Sequence, residues 1–162
     1  MREYFAGRYY AVSRLGPEHR GVLENLVFFN EGQGRIRQSM VRSIEQYGTP
    51  QISERDGWIA VELPSVPQVQ VLYILEEEFG RSTLSGVVIY ARRESSLDVI
   101  YIGLDPRHCF GAGGNNYLFI EIFQLLLAIG RRIGGVKFVT FNQGSRQLRL
   151  AAERKDLSRK CQ

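Results

Sequence analysis

The chain has 162 residues, of which 44% are hydrophobic and 23% charged, with a formal net charge of +4. Those values are ordinary for one soluble globular domain with a single core spanning residues 1–162. Its two cysteines, Cys109 and Cys161, suggest neither a disulfide framework nor a metal cluster, so no metal centre is expected.

The opening residues lack the apolar run of a signal peptide. The longest apolar run, 117–129, is interrupted by Glu121 and Gln124 and is too short to span a bilayer. A cytoplasmic protein without membrane contact is the expectation. Residues 143–162 hold Arg146, Arg149, Arg154, Lys155, Arg159 and Lys160 against Glu153 and Asp156, so this basic tail carries the whole net charge. Such a tail can meet nucleic acid, an acidic partner or a phosphate-bearing ligand; the plainer reading is a solvated helix end.

In chain order, residues 8–15 are aromatic and β-branched and read as a strand. Gly16-Pro17-Glu18-His19 opens a helix with Val22, Leu23, Leu26, Val27 and Phe29 on its apolar side. His19 has no ligand or catalytic partner nearby and reads as an exposed first-turn residue. A second helix follows Gly32 and Gly34, with Ile36, Met40, Ile44 and Tyr47 on one face. Residues 58–63 read as a strand, broken by Pro64 and Pro67 and resumed over 68–75. Glu76-Glu77-Glu78 reads as a solvated turn, or else as a patch for a cationic substrate. Strands over 84–91 and 97–104 form an antiparallel hairpin.

A glycine-rich turn over 107–116 then feeds a helix over 117–133, apolar on nearly every side and therefore expected to be buried on nearly every side. Glu121 and Gln124 form its polar stripe. Gly134-Gly135 ends it, and 136–141 reads as a strand parallel to 97–104, making a βαβ unit. Gly111, Gly113 and Gly114 either just permit the sharp turn or let backbone N–H groups approach a phosphate at the helix start. Residues 145–159 read as a final helix.

This order resembles the GNAT superfamily of acyl-coenzyme A-dependent N-acetyltransferases. The resemblance rests on Val12-Ser13-Arg14-Leu15-Gly16-Pro17-Glu18-His19, on the hairpin over 86–106 ending in Leu104-Asp105-Pro106, and on Asn142 after the parallel strand. It implies an α/β fold with a mixed, mostly antiparallel sheet. It also implies acetyl-coenzyme A or another acyl-coenzyme A as co-substrate, and an amine acceptor that the sequence does not name. The family loop reads Gln or Arg, two residues, Gly, one residue, Gly or Ala. Without a gap the matching positions are Cys109, Ala112 and Gly114; with a one-residue shift they are His108, Gly111 and Gly113. Neither supplies Gln or Arg, although Arg107 is adjacent.

The implied cofactor-binding set is the backbone at Ile102, Gly103 and Leu104, the loop Arg107, His108, Cys109, Phe110, Gly111, Ala112, Gly113, Gly114 and Asn115, and Asn142. Candidate bases are Glu62, Asp98 and Glu121; Tyr101 is a candidate acid. Two features depart from the family. The helix expected after Asn142 lacks its tyrosine, and no strand signal follows, so the sheet is expected to lack or shorten its C-terminal strands. An uncovered strand edge and an apolar helix together point to a homodimer. The alternative is a non-catalytic binding or regulatory protein on the same scaffold, acting through its basic tail and apolar helix.

Overall fold

The computed structural model describes residues 2–28, 34–108, 117–143 and 146–152. The fold is mixed α/β, built on a mostly antiparallel seven-stranded sheet. In chain order the elements are β1 (Glu3–Ala6), β2 (Tyr9–Val12), α1 (Arg20–Val27), α2 (Gly34–Tyr47), β3 (Gln51–Arg55), β4 (Trp58–Glu62), β5 (Gln70–Glu78), β6 (Arg81–Arg93), β7 (Ser96–Leu104), α3 (Tyr117–Arg132), β8 (Phe138–Gln143) and β9 (Arg146–Ala151). The sheet order is β1-β2-β5-β6-β7-β8-β9, while β3 and β4 form a separate hairpin. Among the described strands only β7 and β8 run parallel, and α3 lies in the crossover between them.

The helices cover both faces of the sheet. A Cβ on Gly103 would meet the Leu26 carbonyl of α1, and the Tyr101 hydroxyl donates to the Val27 carbonyl at 2.5 Å. On the opposite face, Gly130 of α3 packs beside Leu97. Leu118, Ile122, Leu125 and Leu126 of α3 are buried; Leu126 is fully so, and its truncation to alanine would cost about 2–5 kcal/mol. α3 is not buried all round: Ile120, Gln124, Arg131 and Arg132 are exposed, and Phe119, Glu121, Ala128 and Ile129 are half-buried.

Several expectations need correction. The region read as a final helix is instead strand β9, which pairs antiparallel with β8 from Phe138↔Ala151 to Gln143↔Arg146. The backbone groups on the outer edge of β8 need partners, and pairing overrides the helix propensity of Gln, Arg, Leu and Ala. The bare edge that argued for a dimer is therefore covered, and a strand does follow Asn142. Residues 153–162, with the rest of the expected helix, lie outside the described residues.

The acidic run is not a turn. β5 continues through Glu78, and the turn is Phe79-Gly80, both at positive φ (49° and 73°). Residues 58–63 and 68–75 are not one interrupted strand. The first joins β3 through Asp56-Gly57 (φ 52° and 79°), and only the second enters the main sheet.

Candidate functional site

The site is built where β7 changes its pairing. Tyr101 sits opposite Ile89 and Val99 opposite Tyr90, so Ile100 is an extra residue, a β-bulge. The bulge inverts the alternation of side chains. Leu97 faces α3 before it, whereas Tyr101 and Gly103 face α1 after it. Ser43 of α2 donates its hydroxyl to the displaced Ile100 carbonyl. β7 pairs with β8 only from Ser96↔Phe138 to Val99↔Phe141. Beyond that point no pairing joins them, although β7 runs on to Leu104 and β8 to Gln143, and this break in the ladder is the slot.

The two mouths of the slot differ. On the α3 side, Phe141 packs against Phe119 and Phe123, with ring centroids 5.9 and 5.3 Å away. On the α2 side lies Asp98. Its Oδ1 accepts from the hydroxyls of Ser96 and Thr140, each at 2.6 Å. Its Oδ2 pairs with Arg93 Nε at 3.2 Å. An open depression of about 610 Å³ lies on this face over the paired part of the strands, toward the β6–β7 turn, lined by Arg93, Glu94, Ser95, Ser96, Asp98, Thr140, Gln147 and Arg149. Arg149 stacks over Phe138 at 3.7 Å from the ring centre, which fixes one guanidinium of the basic C-terminal segment on this face.

The structure does not gather the candidate acids and bases. Asp98 lies at the slot. Tyr101 is buried, its proton is committed to the Val27 carbonyl, and burial pushes its phenol far up from the ordinary range. Glu62 is on the separate hairpin, 2.8 Å from Arg55 Nη1. Glu121 lies on α3. Ile102, Gly103 and Leu104 are buried in β7 past the bulge. Asn142 is on β8, opposite Gln147. Cys109, Phe110, Gly111, Ala112, Gly113, Gly114 and Asn115 lie outside the described residues. Among the described residues no group of His, Cys, Asp and Glu could hold a metal ion, and no helix is long and apolar enough to cross a membrane.

Arg107 and His108 form a short 3-10 helix with Pro106 and join a cluster that sequence reasoning missed. Its centre is Glu76, only 3% exposed. Arg107 Nη2 lies 3.4 Å and His108 Nε2 3.9 Å from Glu76 Oε2. Ser85 Oγ donates to the same oxygen at 3.4 Å. Arg8 Nε is 2.7 Å from Oε1 but out of line for a hydrogen bond, so charge and not a directed bond holds that oxygen. Tyr9 completes the cluster, its hydroxyl 3.2 Å from His108 Nε2. Burial holds the His108 pKa below its usual value, against the opposing pull of Glu76. The alternation of Val69, Val71, Tyr73 and Leu75, carried forward, puts Glu77 and not Glu76 in the buried phase, so the pattern holds no signal for a buried Glu76.

The chain matches no family model, no curated protein and no solved structure. Function therefore rests on the site alone.

Proposed function

We propose that this protein binds an acyl-coenzyme A and passes the acyl group to an amine, on a GNAT-like scaffold. One observation carries the reading: the Ile100 bulge and the end of β7–β8 pairing fall at the same place, opening a slot beside backbone that the sheet does not use. The slot fits an extended, amide-bearing chain, because strand edges on both sides can exchange hydrogen bonds with it. The strand order and the placement of α1 and α3 on opposite faces are consistent with this scaffold.

An acyl-coenzyme A supplies a thioester whose acyl group an amine can accept. The protein must then hold the carbonyl, admit the amine and take up a proton. The backbone N–H of Ile102 is the candidate to polarise the carbonyl; Gly103 shares the phase of Asp105, whose N–H donates to Ser85, and so points to β6. Asp98, on the α2 side, is the carboxylate nearest to where an amine would enter. Arg107, more than half exposed, stands just ahead of the glycine loop assigned to the pyrophosphate.

A second reading has its own support. Both Asp98 oxygens are engaged and the Tyr101 proton is committed, so a non-catalytic acyl-coenzyme A binder also suits the site. One experiment separates the two. Acetyl-coenzyme A is titrated by calorimetry, backbone amide shifts are followed at Ile102 and Phe141, and thiol release is measured with an amine panel. Binding with shifts at those amides and thiol release supports transfer. Binding without release supports the second reading. No binding at millimolar ligand removes both.

A further inference from the structure

β4 and β5 belong to different sheets, yet their edges face one gap. Ile59 N–H donates to the Leu15 carbonyl at 2.9 Å, so alternate residues of β4 direct their backbone groups away from β3, and Val61 is the next in that phase. Glu77 N–H donates to the Arg8 carbonyl at 2.9 Å, which places the backbone groups of Tyr73 and Val71 on the β2 side of β5. β2 leaves β5 after Val12↔Tyr73 and crosses to β4 at Leu15. Val71 is thus left on an edge that β2 no longer covers, and Ser13 marks where the wedge begins. A cavity of about 660 Å³ fills the wedge. That volume lies within the roughly 300–1,000 Å³ range of ligand sites.

We propose that this groove binds an extended peptide segment of a partner protein, which enters as an added strand between β4 and β5. The walls select that occupant. An extended chain alternates N–H and C=O on both of its edges, and here both walls carry backbone groups in strand phase. The side chains around the groove are mostly uncharged: Ser13, Gln51, Gln68 and Gln70, with apolar Val61 and Val66. The one carboxylate, Glu62, is already paired with Arg55. The groove therefore reads backbone and uncharged side chains. β6 and β7 separate it from the slot beside β8, so the proposal does not depend on the acyl-transfer reading.

The probe is a short peptide selected from a random phage-displayed library against the full chain. It is then made in capped form and with alternate residues N-methylated in either phase. The capped peptide is expected to shift the amide resonances of Val61 and Val71. N-methylation in either phase should weaken binding about tenfold or more, because an added strand bonds β4 with one phase and β5 with the other. Ser13→Trp fills the start of the groove from an exposed position and should abolish binding with unchanged melting. Gln70→Trp gives the same test should the first variant misfold. The proposal is overturned if selection yields no binder, if either N-methylated form binds like the parent, or if the shifted amides lie away from β4 and β5.

Discussion

Thr140 and Asp98 are direct partners across the parallel β7–β8 pair, and the Thr140 hydroxyl donates to Asp98 Oδ1 at 2.6 Å. This bond joins the two strands one step before they part. Asp98 also draws on Ser96 and Arg93, so a single lost donor is partly compensated. Thr140→Val should lower stability by about 1–2 kcal/mol, since a hydrogen bond to a charged group is worth more than a neutral one. The urea midpoint measures it; an unchanged midpoint would mean that the bond contributes nothing.

Tyr101→Phe separates a structural tyrosine from a catalytic one. The variant leaves the buried Val27 carbonyl without its donor, at a cost of about 1–3 kcal/mol. Any transfer activity should survive nearly intact, because loss of a general acid would cost about a hundredfold or more. A collapse of turnover with unchanged affinity for acetyl-coenzyme A would restore Tyr101 as the acid.

His108 should make the fold sensitive to mild acid. Its folded pKa is lowered by burial, so the unfolded chain takes up the proton first as pH falls. The unfolded state then binds more protons, and stability declines as pH drops below the ordinary histidine value of about 6.5. Glu76 and Asp105 oppose the shift, while Arg107 and Arg8 reinforce it. His108→Asn should flatten stability against pH between about 7 and 5. Denaturant melts across that window test it, and an identical slope in both proteins would reject it.

Phe79 occupies the first position of a two-residue turn at φ 49° and is 96% exposed. Asparagine tolerates that conformation far better than a bulky aromatic. Phe79→Asn should therefore raise stability by about 0.5–1 kcal/mol, read as a higher melting temperature. A lower one would show that the ring has a contact in the fold.

Gly103→Ala should be costly without any φ strain. The new Cβ would stand 2.7 Å from the Leu26 carbonyl, which is backbone and cannot swing aside. α1 would have to lift from β7, at about 1–3 kcal/mol. Hydrogen exchange in α1 reports the loosening; unchanged protection would count against it.

Much of the fold was legible where local pattern and tertiary role agree. The hairpin of β6 and β7, the helix α3 and the parallel return of β8 all announce themselves by apolar runs between glycines. β9 did not, because Arg146, Gln147 and Leu148 suit a helix until a neighbouring edge needs partners. β3 is short and half exposed, and Asp56-Gly57 before Trp58 is its one hairpin signal in the sequence. Within the site, Asp98 was legible as a carboxylate on a strong strand. Arg8, Tyr9 and Ser85 were not, because only the sheet order brings them to Glu76.

The extra residue in β7 has a consequence for how the strand tolerates change. Counting by twos, Leu97 and Val99 answer to one layer of the protein while Tyr101 and Gly103 answer to the other. The strand thus carries a phase slip at Ile100. Deleting that single residue would remove the bulge and leave Tyr101 directly after Val99, still on opposite faces and still opposite Ile89 and Tyr90. What would be lost is the displaced Ile100 carbonyl and its bond from Ser43. Deleting Ile102 instead would turn Gly103 away from α1. β7 should therefore tolerate the loss of one residue at the bulge and not one step beyond it.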